Sequence, residues 1–241
     1  MAEIDMIKKI LKFIFKASLW FVGITVLWVL VYKFVPVPYT ALMAIRSMEG
    51  SGQEIHHKWI PIEEIPTNLQ LAVICAEDQT FLQHSGFDRE AIEKAIEHNK
   101  KGKRIRGGST ISQQTAKNVF LWPDRSWLRK GMETYFTLLI ETLWSKERIL
   151  EIYLNSIEMG NGVFGAEAAS QFWFQKSAKN LSAKNAAALA AILPSPQRYS
   201  ANPPGPYIAK RTDWILRQMR YFGPFSLEKK KTEPATKIKK Q

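Results

Sequence analysis

Residues 67–88 read TNLQLAVICAEDQTFLQHSGFD, and this stretch holds both the start of the helical body and its most informative polar cluster. Thr67 can cap a helix whose apolar residues recur at helical spacing. Glu77 and Asp78 follow at the C-terminal end of that helix. There the negative end of the helix dipole and partial burial both raise the pKa of a carboxylate, which makes it a better base. The alternative is a solvated acidic helix end, with Asp88 as a cap.

Helical patterns continue along the chain after this stretch. Asp88 can cap a second helix, and Thr110 with Gln113 fits a capping box that opens a third. No strand-like alternation runs beyond a few residues, so the sequence predicts one mostly α domain over 67–223. The further predicted helices are 127–144, 146–156, 164–173, 183–193 with Ser182 as its cap, and 206–221.

An apolar segment, ASLWFVGITVLWVLVY at 17–32, lies upstream and extends to Val35 with Lys33 as its only charge. A helix needs roughly 20 residues to cross a bilayer core. The preceding segment, 1–16, carries four lysines, which the positive-inside rule keeps in the cytoplasm. The sequence therefore predicts a transmembrane helix over 17–35. A cleaved signal peptide is the alternative, but the run ends in KFVPVP, without small residues that mark a cleavage site.

The remaining parts are a connector and a tail. Residues 36–66 show no strong period and are predicted to form a connector with some extended structure. Residues 224–241 read as a basic, disordered tail. His56 and His57 have no third ligand nearby at metal spacing, which argues against zinc. The formal net charge of +12 leaves nucleic acid, anionic lipid and a phosphorylated substrate open as partners.

A basic stretch surrounds Gly107, Gly108 and the start of the third predicted helix. Backbone amides, a helix dipole and cations together suit a phosphate or pyrophosphate, although no P-loop motif is present. The alternative is a solvated basic loop. Asp124 is the only acid between the first and last of its cations, which are Lys100, Lys101, Lys103, Arg104, Arg106, Lys117, Arg125, Arg129 and Lys130.

Arg129, near the end of this basic stretch, and Glu133, just after it, lie four residues apart on one face of a predicted helix. In the functional interpretation, the carboxylate is held near cations that also hold a leaving group. In the alternative, the two residues form an ordinary surface ion pair of little energetic value.

Four motifs occur in order: E-D-x-x-F-x-x-H-x-G-x-D at 77–88, G-G-S-T-I-S-Q-Q-x-x-K-N at 107–118, R-K-x-x-E at 129–133 and K-x-x-I-L-E-x-Y-L-N at 146–155. Together they closely resemble the signature motifs of the peptidoglycan glycosyltransferase family, which includes the glycosyltransferase domains of bifunctional penicillin-binding proteins. The resemblance covers roughly residues 60–220. The length and single anchor resemble monofunctional members from Gram-negative bacteria.

The resemblance implies a role for each matching residue. Glu77 matches the general base on the acceptor sugar hydroxyl. Glu133 matches the acid that assists departure of the lipid diphosphate, with a divalent metal, Mg²⁺ or Mn²⁺, expected as an aid there. Asp78, Phe81 and His84 match positions that shape the loop around Glu77. The expected substrate-binding residues are Ser109, Thr110, Gln113, Gln114, Lys117, Arg129, Lys130 and Lys176.

Near Lys176 the family usually shows a Tyr-Phe-Gly-Lys pattern, from which Trp173 and Gln175 depart. The resemblance further implies a lysozyme-like fold with a smaller membrane-proximal lobe. It implies an inverting enzyme that polymerises lipid II into β-1,4 glycan. Expected partners are lipid II, the nascent glycan chain, inner-membrane lipid and other cell-wall synthesis proteins, with the catalytic domain in the periplasm. No nucleic acid, nucleotide, haem or zinc is expected.

Two rival functions remain open at this level. A peptidoglycan hydrolase also uses two carboxylates, but it needs neither a pyrophosphate-type cation cluster nor an anchor. A non-enzymatic, membrane-anchored scaffold is the second rival. Intact Glu77 and Glu133 within their motifs argue against that scaffold.

The order of lysines and apolar residues generates a test of topology. A reporter that works only outside the cytoplasm, fused after Gln241, is expected to be active, because the lysines of segment 1–16 hold the N-terminus inside. The same reporter fused directly after Lys16 is the control and is expected to be silent. A mature protein whose N-terminal sequence begins beyond Val35 would reveal a cleaved signal instead.

Overall fold

The computed structural model describes residues 2–49, 54–100, 102, 108–123 and 126–227, and within them the predicted mostly α class is confirmed. The helices are α1 Ala2–Phe34, α2 Ala41–Glu49, α3 Thr67–Glu77, α4 Arg89–Lys100, α5 Ile111–Phe120, α6 Trp127–Leu143, α7 Lys146–Ser156, α8 Ala166–Phe174, α9 Ala183–Ile192 and α10 Pro206–Phe222. The strands are β1 His56–His57, β2 Glu158–Gly160 and β3 Val163–Phe164, and the 3₁₀ turns are Ile62–Glu64 and Ala178–Asn180.

The helix starts follow local capping chemistry, with one exception. The Asp88 carboxylate accepts a bond of 2.8 Å from the Ala91 amide, and Thr110 with Gln113 forms the predicted capping box at α5. The prediction that Thr67 caps α3 is wrong, because Pro66 occupies that position and no side-chain bond is made. Proline suits the start of a helix because it has no amide hydrogen to leave unpaired and its fixed φ is already close to helical.

The connector contains more structure than its sequence suggested. Thr40 caps α2 by accepting a 3.2 Å bond from the Met43 amide, and Met43 is fully buried. Strand β1 then pairs in parallel with β3, which also pairs antiparallel with β2, so the connector joins a small three-stranded sheet of the domain. At the other end of the chain, Phe225 and Leu227 pack against the core. The rest of the predicted tail, 228–241, lies outside the described residues.

Helix α3 forms the centre of the core. Its residues from Leu69 to Cys75 are all buried, as expected of a helix that is enclosed on every side. It packs against α9 and α10, and the alanine-rich face of α9 allows the two backbones to approach closely. Helix α5 packs in turn against α6 and α7. The last residue of α3, Glu77, therefore lies where the group formed by α3, α9 and α10 meets the group formed by α5, α6 and α7.

Helix α1 is longer than the predicted span, and its C-terminal part is bonded to the domain. By length and composition it passes as a membrane span over Glu3–Phe34. Thr25 Oγ1 lies 2.7 Å from the Tyr135 hydroxyl, and Trp144 Nε1 donates a 2.9 Å bond to the Val29 carbonyl. Phe120, Phe136 and Trp28 form an aromatic cluster beside these bonds. The end of α1 is thus part of the packed structure rather than a loose tether.

Asn155, the last residue of the fourth motif, ties the connector to α7. Its side chain is fully buried, accepts a 3.0 Å bond from the Ile60 amide and donates a 2.9 Å bond to the Ile60 carbonyl. Asn155→Ala is expected to cost about 2–4 kcal/mol, because two buried backbone groups lose their partners. The thermal midpoint should fall by roughly 5–15 °C. Asn68→Ala, at an exposed position in the first turn of α3, is the matched control, and an equal midpoint for both variants would contradict this role.

Candidate active site

Glu77 lies at the end of α3 with its two carboxylate oxygens in different surroundings. Oε2 accepts a 3.0 Å bond from Gln114 Nε2, and Gln114 Oε1 accepts a 3.1 Å bond from the fully buried Tyr153 hydroxyl. Oε1 faces Arg211 Nη2 at 3.9 Å. Burial raises the pKa of Glu77, and the bond from Gln114 and the Arg211 charge oppose that rise. This environment is that of a carboxylate suited to accept a proton.

The turn after Glu77 is organised by Asp78. His84 Nε2 lies 2.9 and 3.0 Å from the two Asp78 carboxylate oxygens, one of which also accepts a 3.0 Å bond from the Ile111 amide. The Gly86 amide donates to His84 Nδ1, so the ring proton is on Nε2 and points at Asp78. Asp78 therefore connects the end of α3, the following turn and the start of α5.

Close packing completes this turn. Gly86 has a φ of +90°, and its carbonyl accepts a 2.7 Å bond from Thr110 Oγ1. A Cβ at Gly86 would lie 2.8 Å from a methyl group of Thr137 on α6, so both the backbone angle and the space require glycine. Phe81 is fully buried, and Lys146 Nζ lies 4.6 Å from its ring centroid. The loop around Glu77 is thus held by both motif and core residues.

Glu133 on α6 forms a second centre. The residue is buried, and its carboxylate contacts Lys130 Nζ at 2.5 Å and Arg129 Nη1 at 3.4 Å. Lys117 of α5 is a third cation in this region. Burial lowers the pKa of Lys117, Glu133 opposes that effect, and the neighbouring charges of Arg129 and Lys130 add to it. Cations thus crowd around a single acid, an arrangement that suits an anion with more than one charge.

A cleft of about 380 Å³ opens beside Glu133. Gln114 lines it and also bonds Glu77, so the amide links the cleft to the proton-accepting carboxylate. Two buried polar atoms of the lining, Asn118 Nδ2 and Arg129 Nε, have no hydrogen-bond partner. The lining residues are Leu42, Arg46, Ser109, Gln113, Gln114, Lys117, Asn118, Leu121, Trp122, Pro123, Arg129, Lys130 and Glu133.

Most of the substrate-binding residues predicted from the sequence meet in this cleft, with two exceptions among those described. Thr110 is buried as the cap of α5. Lys176 donates a 2.6 Å bond to Asn185 at the start of α9 and is not among the lining residues. Several predicted cations lie outside the described residues: Lys101, Lys103, Arg104, Arg106 and Arg125.

The sequence interpretation missed three contributors from distant parts of the chain. Leu42 and Arg46 reach the cleft from α2, and Arg211 reaches Glu77 from α10. The amphipathic period of α10 predicts which face is buried, but it does not identify the residue that a flanking arginine will meet. No local signal could have paired Arg211 with Glu77.

The expected divalent ion at Glu133 can be compared with the donor set. Lys130 and Arg129 already contact the two carboxylate oxygens, and the described residues of the cleft lining include no second carboxylate. Among the described residues, no group of three or more potential ligands forms a metal site. The residues present do not fit a resident Mg²⁺ or Mn²⁺, which prefer several oxygen ligands. Metal assistance at Glu133 stays a prediction.

A family model described as transglycosylase matches residues 43–220. The chain belongs to the transglycosylase family. The family's lysozyme-like fold thus applies to this mostly α domain. The matched region begins in α2 and ends in α10, so it includes Arg46 and Arg211 as well as the four motifs.

Curated relatives span nearly the same length. A biosynthetic peptidoglycan transglycosylase of Pseudomonas syringae pv. syringae (strain B728a) is 53% identical over 222 residues, which cover 90% of this chain and 94% of the relative. The protein of that name in Bdellovibrio bacteriovorus is 54% identical over 212 residues, 86% of this chain and 85% of the relative. That of Pseudomonas aeruginosa is 50% identical, with 90% and 96% covered.

The surroundings of Glu77 generate a test of its role. Glu77→Gln is expected to lower turnover at least about 10²-fold, the scale on which a lost general base acts. Its thermal midpoint at neutral pH should be no lower than that of the wild type, because the amide removes a buried charge. Turnover is measured as polymerisation of labelled lipid II. Near-normal turnover in the purified variant would exclude Glu77 as the base.

Proposed function

We propose that this transglycosylase polymerises lipid II, with Glu77 as the general base and the cluster around Glu133 on the departing diphosphate. The chain is an enzyme of peptidoglycan synthesis, a glycosyltransferase that acts in building the cell wall. The observation that carries the assignment of roles is Gln114, which bonds Glu77 and lines the cationic cleft. A proton acceptor and an anion site are thereby adjacent, as glycosyl transfer from a diphosphate requires.

In the proposed step, the acceptor sugar hydroxyl transfers its proton to Oε1 of Glu77. The hydroxyl oxygen bonds to the anomeric carbon of the donor as the bond from that carbon to the diphosphate breaks. The attack comes from the face opposite the leaving group, so the configuration at that carbon inverts. The electron pair leaves with the polyprenyl diphosphate, and its negative charge lies among Lys117, Arg129 and Lys130.

Glu133 has a different task from Glu77 in this scheme. Its carboxylate contacts Lys130 and Arg129 and so fixes both cations beside the cleft. The Nε atom of Arg129 is buried and without a hydrogen-bond partner, which leaves a donor for a diphosphate oxygen. The charge balance supports this division, because Glu133 is the only acid among the lining residues that the structure describes, and four cations accompany it there.

The hydrolase alternative uses the same two kinds of carboxylate but a neutral leaving group. An inverting hydrolase places its acid and base on opposite sides of a sugar and needs the acid protonated. Both carboxylate oxygens of Glu133 already contact cations, so neither is free to approach the leaving oxygen of a sugar. The site therefore favours transfer from a diphosphate donor over hydrolysis of a glycan.

We further propose that α1 crosses the inner membrane once and leaves the catalytic domain in the periplasm. Support comes from Lys8, Lys9, Lys12 and Lys16, which lie before the apolar part of the helix. A lipid-linked substrate keeps its tail in the same bilayer, so anchored enzyme and substrate meet in two dimensions. Contacts with other cell-wall synthesis proteins remain a prediction.

One assay tests this function and the cation site together. Detergent-solubilised wild type is expected to convert labelled lipid II into a polymer that a muramidase cuts back to disaccharide units. Lys130→Ala should bind a non-reactive, diphosphate-containing donor analogue about 10- to 100-fold more weakly, because a charge-assisted bond of roughly 1.5–3 kcal/mol is lost. Turnover should fall with it.

Lys184→Ala is the matched control for that variant. Lys184 is exposed at the start of α9, and its removal changes the net charge equally without touching the cleft. Unchanged analogue affinity in Lys130→Ala would remove Lys130 from the donor site. A wild type that shortens glycan chains and forms no polymer from lipid II would support the hydrolase instead.

A further inference from the structure

Arg211 lies on α10, outside the four motifs, yet its guanidinium faces the carboxylate of Glu77. Its Nη2 is 3.9 Å from Glu77 Oε1, and its Nε is buried without a hydrogen-bond partner. We propose that Arg211 is a positioning residue: it keeps Glu77 ionised while leaving Oε1 free for the acceptor hydroxyl. This inference rests on the proposed role of Glu77 as the base.

The two carboxylate oxygens of Glu77 have different roles in this proposal: Oε2 orients the side chain, and Oε1 accepts the proton. Gln114 donates to Oε2, and the Tyr153 hydroxyl fixes which way the Gln114 amide points. Oε1 receives no hydrogen bond from any residue in the described part of the chain. The separation of 3.9 Å from Arg211 is too long for a hydrogen bond, but Coulomb attraction remains effective there. Arg211 can therefore favour the charged carboxylate without occupying the lone pair that accepts the proton.

Glu77 needs this cation because its other surroundings oppose ionisation. Burial and the neighbouring Asp78 charge raise its pKa, while Gln114, Arg211 and Lys117 act to lower it. The end of the α3 dipole also disfavours a negative charge at this place. Tyr153 donates its hydrogen bond to Gln114 and not to Glu77 itself. Burial raises the pKa of the Tyr153 hydroxyl, so this group is neutral. Thus Arg211 and Lys117 are the two cations that face Glu77 from α10 and α5.

Lys117 and Arg211 differ in their other contacts. Lys117 lines the diphosphate cleft, and its ammonium also interacts with Glu133, so a bound donor competes for it. Arg211 is not among the cleft residues, and Glu77 is its only acidic neighbour within 4 Å in the described part of the chain. When the donor is bound, Arg211 is the cation that still acts on Glu77.

Helix packing holds Arg211 in this position. Ile208, Thr212 and Ile215 are buried on the inner face of α10, which packs against both α9 and α3. Gln79, two residues after Glu77, donates a 3.4 Å bond to Gln218, about two turns further along α10 than Arg211. The same contacts that close the core therefore set the distance between the guanidinium and the carboxylate.

The test is the pH dependence of kcat/KM for lipid II polymerisation in the full chain. Removing a cation raises the pKa of a neighbouring carboxylate, so the acid limb for Arg211→Gln should move about one unit to higher pH. At pH values well below the acid limb, kcat/KM of Arg211→Gln should be about tenfold lower than that of the wild type. At pH values well above the limb, the two should be nearly equal. Arg211→Lys, which keeps the charge, should restore most of the wild-type profile.

Arg217→Gln is the matched control, since Arg217 is an exposed arginine on the same helix. An acid limb that stays in place in Arg211→Gln would overturn the proposal. So would an equal loss at every pH, which indicates a structural defect, or an equal shift in Arg217→Gln.

A second measurement gives the pKa of Glu77 directly and does not depend on enzyme turnover. Infrared difference spectra, with Glu77→Gln used to assign the carboxylic acid band, give the pKa of Glu77 in the free enzyme. A higher pKa in Arg211→Gln than in wild type supports the proposal, and an equal pKa refutes it even where lipid II is polymerised normally. Failure of wild type to polymerise lipid II would instead refute the proposed function, whatever the infrared titration shows.

Discussion

The burial of one carboxylate at the end of an enclosed helix is the constraint on which this site depends. Helix α3 is buried on all sides, so its last residue, Glu77, emerges where helical layers meet rather than at the surface. A carboxylate in such a place is a stronger base, but it is also at risk of being neutral. Gln114 and Arg211 resolve this conflict from two different helices. The chemistry therefore relies on contacts that only the assembled core provides.

At the second centre, around Glu133, the electrostatic situation is reversed, because several cations lie close together. Lys117, Arg129 and Lys130 line one cleft and would repel each other without a counter-charge. Glu133 supplies that counter-charge from within α6 and fixes the two nearest side chains. A substrate that brings further negative charge then completes the balance.

Helix α1, the proposed membrane anchor, is also part of the packed structure. Its C-terminal part bonds to α6 and α7 through Tyr135, Trp144 and Arg148. Helix α6 also carries Glu133, so α1 and the cationic cleft are connected through one helix. An enzyme whose substrate remains in the bilayer benefits from such a connection, because the orientation of the cleft relative to α1 is set by packing.

The amino-acid sequence by itself determined the local features. Apolar periodicity located the helices, and Asp88 with Thr110 and Gln113 indicated two helix starts, because capping acts over three or four residues. The motifs predicted Glu77 and Glu133 as the acids of the site, since a motif is a short-range pattern. Even here, Thr67 was misassigned as a cap, because the helix begins at Thr67 itself and Pro66 takes the extended backbone of the cap position.

Only the tertiary structure decided which residues surround those acids. Helix α2 and its Arg46 in the cleft, the bond from Tyr153 to Gln114, and Arg211 beside Glu77 all join parts of the chain that are far apart in sequence. The distance between such groups depends on how helices pack, and side-chain spacing along one helix contains no information about its neighbour. Electrostatic environment is a property of that packing, and so the ionisation of Glu77 is set by the fold rather than by its motif.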